Sequence, residues 1–567
     1  MPIKKVYGNV AGLKSSFRQR IEKLYRRKVT PRQVVTPDLA RDLARLSFDC
    51  GRQLGLLLAR DGTVETVLVG GPRSLFIPDL PKSRGGRWRL RGLRLVHTHL
   101  QEEPLSQDDL MDLVFLRLDC IAAIRVDPHG GATQLEIAHI IPQNNQDRHG
   151  WEILPPIPCY DPYVDFQDLV QALEEELERN RLAIPAAKQD DRAILVSVTS
   201  ADRDAAGHSM DELVELAHTS GIIAAETIIQ RQRAINPKYL IGKGKLSEIV
   251  LRALQCGVDL LIFDQELNPS QVRSITDTTE LRVIDRTQLI LDIFAQRAQS
   301  REGKIQVEVA QLKYLLPRLG MKDDALSRLT GGIGARGPGE TTLEINRRRT
   351  KDRITNLEND LKLIRKGRRQ RRSQRVRKRM PIISIVGYTN AGKSTLLNTL
   401  TKSLVFVEDK LFATLDPTSR RLRFPRDLEV IITDTVGFIR DLPKDLLDAF
   451  AATLEELDDA DLLLHVIDIS NPQYENQMQA VDRILSDLEL RDKETILVFN
   501  KADLVDPDWV TIQGKRYGAV AISALSSKTL EPLILAMQDH VEALLQQGLF
   551  RALPQTTEES VETDAPL

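Results

Sequence analysis

A glycine-rich segment that follows an apolar run is the first part of the sequence able to do chemistry. Residues 387–394 read Gly-Tyr-Thr-Asn-Ala-Gly-Lys-Ser and fit the pattern G-x-x-x-x-G-K-[ST]. Glycine lets the backbone curl until its N–H groups point at phosphate oxygens, while Lys393 can neutralise phosphate charge and Ser394 can bind Mg²⁺. The expected phosphate-binding residues are Gly387, Tyr388, Thr389, Asn390, Ala391, Gly392, Lys393, Ser394 and Thr395.

A later motif distinguishes between the purine bases. Asn500, Lys501 and Asp503 follow an apolar run at 495–499. The Asp503 carboxylate can accept from both guanine N1–H and N2–H₂, whereas adenine would leave it unpaired at a cost of roughly 1–3 kcal/mol. Guanine is therefore predicted, with Lys501 along the base and Asn500 tied to the phosphate loop. Backbone N–H groups are expected to complete the base site at Ser523, Ala524 and Leu525.

Two segments between these motifs could sense a γ-phosphate. Asp434, in a D-x-x-G pattern, is suited to hold Mg²⁺ through water, and Gly437 is suited to donate its N–H to the phosphate. Thr414 could close over the metal. Neighbouring residues expected in the site are Phe412, Ala413, Thr435 and Val436. The predicted Mg²⁺ ligands are Ser394, Thr414 and Asp434, and the predicted catalytic residues are Lys393, Thr414, Gly437 and Asn390.

Two positions suggest that efficient GTP hydrolysis requires an additional partner or cation. Phe438 occupies the place where Ras-like enzymes carry a glutamine that orients water, and a phenyl ring cannot do this. Intrinsic hydrolysis is therefore expected to be slow. Asn390 could help to coordinate K⁺ beside the phosphates, where a cation would stabilise transition-state charge. The alternative is that Asn390 is only a suitable loop residue.

The elements that carry these motifs predict a multidomain α/β protein. The 567 residues are 42% hydrophobic and 28% charged with net charge −1, which indicates a globular chain of roughly three or four domains. Strand and helix patterns alternate in the phosphate-loop region, which is typical of a mostly parallel sheet. The predicted parts are 1–150, an α+β extension; 151–190, a linker; 191–286, a small parallel α/β domain; 287–380, a helical arm with a Gly-rich loop at 330–340; 381–548, the phosphate-loop domain; and 549–567, an acidic disordered tail.

The arm prediction depends on a spacing of apolar residues. Ile354, Leu357, Leu361 and Ile364 recur at 3-4-3 intervals, so one helix face could pair with the helical stretch before it as a two-helix coiled coil. Pro381 is expected to end the helix.

Composition also indicates the cellular compartment. The four cysteines form no C-x-x-C pair, and no run of about 18 apolar residues could span a bilayer. We expect a monomeric, cytoplasmic protein without a membrane span.

Four further segments resemble the HflX family, within the Obg–HflX superfamily of translation GTPases. They are 239–245, 263–267, 285–287 and above all 331–341, Gly-Gly-Ile-Gly-Ala-Arg-Gly-Pro-Gly-Glu-Thr. The resemblance covers about residues 193–550. It implies a GTPase that binds GTP or GDP with Mg²⁺, associates with the large ribosomal subunit and its ribosomal RNA, and splits or rescues ribosomes. It also links the Gly-Lys-Gly-Lys of 242–245 to ATP binding, although four residues do not make a full phosphate-loop pattern.

Basic residues in the second arm helix support an RNA partner independently. The positive charges of this run repel one another unless a partner of opposite charge is bound, and RNA phosphate backbones are suited to that role. The alternative is a solvated helix face. A GTPase acting in ribosome assembly or on another structured RNA, and a passive GTP-switched scaffold, also stay open. The basic residues are Arg347, Arg348, Arg349, Lys351, Arg353, Lys366, Arg368, Arg369, Arg371, Arg372, Arg375, Arg377, Lys378 and Arg379.

The N-terminal extension contains a possible zinc site. His97, His99, Ser106 and Asp109 resemble the H-x-H…S-x-x-D pattern of JAMM/MPN and RadC-like proteins. Two imidazoles and a carboxylate are a reasonable Zn²⁺ ligand set. The interval between His99 and Ser106 is one residue short, however, and Gln53 lies where a glutamate base is expected. Metal binding and a regulated metallopeptidase are thus alternatives to a pair of buried histidines.

Overall fold

The chain divides into two compact units, Met1–Arg286 and Thr287–Leu567, in a computed structural model. Among the described helices, none is both long and apolar enough to cross a membrane. The structure describes residues 5–78, 80, 89–142, 150–182, 192–200, 203–232, 235–319, 342–376, 380–401, 411–412, 418–426, 428–440 and 457–546.

A mixed β-sheet forms the N-terminal half of the first unit. Its strands are β1 (Tyr7–Gly8), β2 (Leu54–Ala59), β3 (Val64–Val69), β4 (Leu93–His99), β5 (Cys120–Val126), β6 (Ala132–Ile140), β7 (Trp151–Ile153) and β8 (Ile157–Pro158). Their order is β1-β3-β2-β4-β5-β6-β7, with β8 beside β6. β4 and β5 are parallel, while β2 is antiparallel to both of its neighbours. Because helices cover both faces, β4 is buried along its whole length.

Local sequence sets the ends of the helices around this sheet. The Thr36 hydroxyl accepts from the Leu39 N–H at the start of the second helix, and Gly51 ends that helix in the left-handed region, with φ of 63°. Ser106 and Asp109 form a capping box at the third helix. The helices are α1 (Ser15–Lys23), α2 (Pro37–Cys50), α3 (Gln107–Phe115) and α4 (Phe166–Leu182), with a 3₁₀ turn at Leu24–Arg26.

The region expected to be a linker, 151–190, contains regular structure up to residue 182. It supplies β7, β8 and α4. Phe166 and Val170 lie in the core beside α2, and Leu173 and Leu177 lie in a second core. Apolar side chains of the helix are thus packed into the first unit. Residues 183–191 lie outside the described residues.

A second sheet in the first unit is wholly parallel. Its strands are β9 (Arg192–Thr199), β10 (Ile223–Arg231), β11 (Leu260–Phe263) and β12 (Arg282–Asp285), in the order β10-β9-β11-β12. The intervening helices are α5 (Arg203–Thr219), α6 (Lys243–Cys256) and α7 (Pro269–Thr279). Alternation of strands and helices in the sequence predicted this arrangement.

One hydrophobic core joins the two sheets of the first unit. Leu57 and Leu95 of the first sheet belong to the same cluster as Val196 and Phe263 of the second. Helices α3 and α6 pack together between them. Hydrogen bonding adds to this packing, because Gln255 Nε2 donates to the carbonyl of residue 141 at 2.8 Å.

Paired helices open the second unit. The helices are α8 (Arg286–Arg297), α9 (Arg301–Leu315) and α10 (Thr342–Val376). Ile305 and Val309 of α9 pack on Leu357 and Leu361 of α10, so the seam expected from 3-4-3 spacing is present. An ion pair at 2.8 Å between Lys313 and Glu358 flanks it. The Gly-rich loop at 330–340 lies outside the described residues.

A six-stranded sheet carries the phosphate-loop motif. Its strands are β13 (Ile382–Gly387), β14 (Thr418–Arg423), β15 (Glu429–Asp434), β16 (Leu462–Asp468), β17 (Thr495–Asn500) and β18 (Val520–Ala521). Their order is β14-β15-β13-β16-β17-β18, and only the edge strand β14 pairs antiparallel. The helices are α11 (Lys393–Thr401), α12 (Tyr474–Asp487), α13 (Pro507–Tyr517) and α14 (Glu531–Gln546), with 3₁₀ turns at Ala502–Leu504 and Ser527–Leu530.

The predicted α/β multidomain class is confirmed, including the mostly parallel sheet of the phosphate-loop domain. β13, β15, β16 and β17 run in the same direction, so their carboxyl ends meet at one edge of the sheet. Ligands of open α/β sheets bind at this edge. The acidic tail, 549–567, lies outside the described residues.

Candidate nucleotide-binding site

The phosphate loop joins β13 to α11 and requires two of its glycines. Gly387 has φ of 150°, and a Cβ there would lie 2.2 Å from the Val466 carbonyl oxygen. Gly392 has φ of 90°, and a Cβ there would lie 2.2 Å from Asn500 Nδ2. Asn390, at φ of 60°, is also left-handed, a conformation that asparagine tolerates better than most side chains. The loop therefore curls tightly against β16 and β17.

Lys393 lies inside this curl. Its ammonium donates to the carbonyl oxygens of Gly387 at 3.1 Å and Tyr388 at 2.7 Å. Burial lowers the pKa of Lys393 to about 8, although the Asp434 carboxylate acts in the opposite direction. A buried cation surrounded by the amides of a phosphate loop is suited to phosphate oxygens.

Ser394 and Asp434 lie together beside the lysine. The Ser394 hydroxyl donates to Asp434 Oδ2 at 2.6 Å, and Asp434 is fully buried. A hydroxyl and a carboxylate next to a phosphate site are the oxygen donors that Mg²⁺ prefers, directly or through water. The structure thus brings together two of the three predicted Mg²⁺ ligands. The third, Thr414, lies outside the described residues, as does Ala413.

The D-x-x-G segment runs along the phosphate loop. The Thr435 hydroxyl donates to the Ile385 carbonyl at 2.6 Å, and Val436 is nearly buried. A Cβ on Gly437 would lie 2.9 Å from Thr389 Cγ2 and 3.0 Å from Lys393 Nζ, so a larger residue would have to displace these neighbours. The Phe438 ring is 2% exposed, which places it inside the protein.

The base-recognition residues are tied to the phosphate loop as predicted for Asn500. Its Nδ2 donates to the Ala391 carbonyl at 2.8 Å, and its Oδ1 accepts from the Ala524 N–H at 2.8 Å. One buried amide therefore fixes the distance between the phosphate and base ends of the site. Asp503 is exposed, within reach of a ligand. Ser523 and Ala524 are buried, whereas the Leu525 side chain is exposed.

Sequence reasoning missed three residues near this site. Asp468 forms an ion pair with Lys501 at 2.7 Å and so positions the lysine that was expected along the base. The Thr399 hydroxyl donates to the Ala524 carbonyl at 2.6 Å. His465 is buried in the middle of β16 near Lys393. Asp468 had a detectable signal, since it ends an apolar strand; the other two are visible only in three dimensions.

Phe412 is the described part of the segment that contains Thr414. It has φ of 55° and is 2% exposed. Its ring packs edge-to-face on Phe294 of α8, with centroids 4.6 Å apart. The beginning of this segment is thus packed against the helical part of the second unit.

Three family models match consecutive parts of the chain. "GTP-binding GTPase N-terminal" matches residues 207–295, and "GTP-binding GTPase Middle Region" matches 297–375. "50S ribosome-binding GTPase" matches 382–501, which includes the phosphate loop, the D-x-x-G segment and the Asn500 motif.

Relatives that match over most of their length decide the family. GTPase HflX of Caldanaerobacter subterraneus subsp. tengcongensis is 50% identical over 320 residues, which are 56% of this chain and 74% of that protein. GTPase HflX of Escherichia coli K12 is 41% identical over 369 residues, 64% of this chain and 86% of that protein. This chain belongs to the HflX family. It is therefore a GTPase that binds guanine nucleotides, as the motifs predicted.

A solved structure is also similar. A GTP-binding protein from the hyperthermophilic archaeon Sulfolobus solfataricus, in complex with GDP, is 26% identical. The match covers 63% of this HflX-family chain and 99% of that protein, with a TM-score of 0.35.

The predicted metal ligands of the extension lie before the residues that the HflX-type family models match, and they converge in space. His97 and His99 Nε2 are 2.9 Å apart, and the two Asp109 oxygens lie 3.2 and 3.4 Å from them. Among the described residues, this is the group of histidine and acidic side chains close enough to hold a metal ion. Tetrahedral Zn²⁺ at about 2.0–2.1 Å from each ligand needs donors about 3.3 Å apart, so the set fits the ion.

Neighbouring groups orient these ligands. His99 Nδ1 lies 2.9 Å from the Glu103 carbonyl, which can only accept, so Nδ1 carries the proton and Nε2 offers its lone pair. The Ser106 hydroxyl and N–H both bond Asp109. Although burial alone would raise it, contacts with His97 and His99 hold the pKa of Asp109 well below its usual value.

Gln53 directly precedes the neighbouring strand β2 and is buried. It lies two residues before Gly55, which is paired with His97 across β2 and β4. An amide side chain has no basic group, so this position supplies no general base. Geometry thus supports metal binding more than hydrolysis.

Proposed function

We propose that the chain is a GTP- and Mg²⁺-dependent factor that binds the large ribosomal subunit and its ribosomal RNA and splits or rescues ribosomes. The match of its nucleotide domain to the "50S ribosome-binding GTPase" model carries this proposal. The exposed basic residues of α10 support it independently.

Each part of the nucleotide site has a role in this proposal. Lys393 neutralises the β- and γ-phosphates, and the loop from Gly387 to Thr395 surrounds them with N–H groups. Mg²⁺ would supply charge neutralisation between the phosphates, held by Ser394, Asp434 through water, and Thr414. Asp503 selects guanine, and the Gly437 N–H senses the γ-phosphate.

The arm supplies the contact with RNA. Leu357, Leu361 and Ile364 pack against α9, which leaves the charged face of α10 to solvent. Arg347 and Arg349 are exposed near the start of α10. Guanidinium groups spaced along a rigid helix are suited to RNA phosphates and shape rather than to base sequence.

Hydrolysis depends on the partner in this mechanism. With Phe438 buried, the D-x-x-G segment offers no side chain to orient the attacking water. The ribosome completes the site by ordering the segment around Thr414 or by supplying a polar group. GTP thereby favours binding, and hydrolysis permits release.

Sucrose-gradient profiles test the proposal directly. Intact ribosomes are incubated with the full chain and GTP, GDP or a non-hydrolysable analogue. Conversion to subunits with GTP or the analogue, but not with GDP, is expected. If intact ribosomes persist while the protein travels with immature subunits, the alternative of an assembly GTPase is correct. Equal GTP turnover with and without large subunits would contradict partner-dependent hydrolysis.

Asn390 is proposed as a ligand for K⁺. It lies within the phosphate loop with a left-handed backbone, at φ of 60°, where a monovalent cation could offset transition-state charge. Turnover in KCl should exceed turnover in NaCl at equal ionic strength. Equal rates in both salts would mean that Asn390 serves only the shape of the loop.

A second proposed function belongs to the extension: His97, His99 and Asp109 bind Zn²⁺. Bound zinc would supply Lewis acidity, but no hydrolysis is proposed because Gln53 is not a base. Metal analysis of the full chain should give about one zinc per chain, falling towards zero in His99→Ala. His129→Ala, which changes an exposed histidine, is the control. No zinc in the unaltered protein after reconstitution would reject the site.

A further inference from the structure

Three hydrogen bonds hold the residues after Gly437 against the phosphate loop. The Thr389 N–H donates to the Phe438 carbonyl at 2.7 Å, and the Phe438 N–H donates to the Gly387 carbonyl at 3.1 Å. These two form a parallel bridge between Tyr388 and Phe438. The third comes from the Arg440 N–H, which donates to the Tyr388 hydroxyl oxygen at 2.8 Å.

The third bond differs from the others because a side chain makes it. The two backbone bonds do not depend on the side chains of Tyr388 and Phe438, but only tyrosine at 388 places a hydroxyl at the Arg440 amide. The Tyr388 side chain is 7% exposed, so its ring is held within the domain. This residue therefore clamps the chain two residues beyond the bridge, on the far side of the buried Phe438.

Gly437 lies between two contacts that hold this segment to β13 and the phosphate loop. The positions on either side of Gly437 are fixed, by Thr435 bonded to Ile385 and by the bridge at Phe438. A Cβ on Gly437 would approach Thr389 Cγ2 to 2.9 Å, so a side chain larger than hydrogen would press on the phosphate loop. Gly437 is therefore next to the loop that is proposed to hold the phosphates.

We propose that Tyr388 is a positioning residue for recognition of the γ-phosphate: its hydroxyl fixes the segment after Gly437 and so holds the Gly437 N–H at the phosphate loop. The inference rests on the proposed role of Gly437. Without the hydroxyl, residues 438–440 gain conformational freedom that GTP binding must then remove, whereas GDP makes no contact with Gly437. Tyr388 thus acts on discrimination between GTP and GDP.

The test compares nucleotide affinities of the full chain with Mg²⁺ present. Tyr388→Phe removes the hydroxyl and keeps the ring. Affinity for a non-hydrolysable GTP analogue should fall about 3- to 10-fold, the equivalent of one hydrogen bond, while affinity for GDP changes less than about 2-fold. The matched control is Tyr517→Phe, which loses a 2.7 Å bond to Glu475 elsewhere in the domain. It should alter neither affinity.

Gly437→Ala separates failure of the inference from failure of its premise. The added methyl group would displace the glycine from Thr389 and Lys393, so it should weaken analogue binding selectively. If Gly437→Ala lowers the ratio of GTP-analogue to GDP affinity and Tyr388→Phe does not, the role of Tyr388 is wrong. If Gly437→Ala has no selective effect, the premise and the inference both fail. Equal weakening of both nucleotides by Tyr388→Phe would indicate a merely structural side chain and would also overturn the inference.

Discussion

Selection of the base depends on a single carboxylate, Asp503. Replacing it by asparagine in Asp503→Asn exchanges one acceptor for an N–H₂ donor, which faces the guanine N2–H₂ group unfavourably. Affinity for GTP should fall about 5- to 150-fold, because a mismatched polar pair costs roughly 1–3 kcal/mol. Xanthosine triphosphate carries a carbonyl at that position, so it should bind the Asp503→Asn variant more tightly than it binds the unaltered chain. Competition binding with both nucleotides measures the exchange.

The buried His465 makes the nucleotide domain sensitive to acid. Burial, followed by the nearby Lys393 charge, lowers the pKa of His465 to about 4. Above about pH 6.5 the imidazole is neutral in the folded and unfolded chain, so stability is complete. Between about 6.5 and 4 only the unfolded chain takes the proton, and stability falls as pH falls. The loss due to this residue should reach about 2 kcal/mol at pH 5.

Urea unfolding at pH 7.5 and pH 5 measures this effect. Replacing Trp88 and Trp151 by phenylalanine leaves Trp509 as the fluorescent reporter of the second unit. In that background, His465→Gln should remove most of the difference between the two pH values, whatever its effect on absolute stability. An unchanged pH difference in the variant would assign the acid sensitivity to other groups.

The nucleotide motifs could be predicted from the sequence residue by residue because their chemistry is local. A strand, a glycine turn and a lysine at fixed spacing determine one another's positions, and Asn500 was correctly expected to reach the phosphate loop. The Tyr388 contact with Arg440 and the Asp468 contact with Lys501 could not be foreseen, since each joins separate strands. Thr414 is the predicted ligand whose position stays a prediction.

At the scale of elements, the α9–α10 pair depends on a narrow seam. Leu357 is 4% exposed in that seam, whereas Leu363 of the same helix is 70% exposed. Leu357→Ala should weaken the pairing by about 2–4 kcal/mol, while Leu363→Ala should change it little. Hydrogen exchange of peptides from α9 and α10 reports the pairing. Similar exchange in both variants would mean that the seam does not hold the helices together.

Helical periodicity predicted this seam, but periodicity did not predict the fate of 151–190. The Pro-rich composition of its first part is typical of a connection, and composition cannot show that Phe166 and Leu173 enter two different cores. The antiparallel edge strand β14 was missed for a similar reason. Its residues Thr418–Arg423 are mostly polar and exposed, so no apolar run marks them as a strand.

At the scale of the whole molecule, charge is segregated rather than balanced. The chain has net charge −1, yet α10 carries a strongly basic sequence. Replacing Arg347 and Arg349 by alanine should weaken binding to the large subunit and reduce the slope of log affinity against log salt by about 1–2. Arg483 and Arg491 are exposed arginines outside the arm, and their alanine variant is the matched control. An equal effect of both pairs would point to general electrostatics.

The shared core of the first unit determines what happens when the chain is cut into fragments. Residues 1–190 are not a structurally separate domain, because Leu57 and Leu95 of the first sheet belong to the same hydrophobic core as Val196 and Phe263 of the second. Cutting the chain near residue 190 would leave α6 without the helix α3 that covers it, and apolar surface would meet water on both fragments. A truncated protein that aggregates would therefore report a lost folding partner rather than a lost activity.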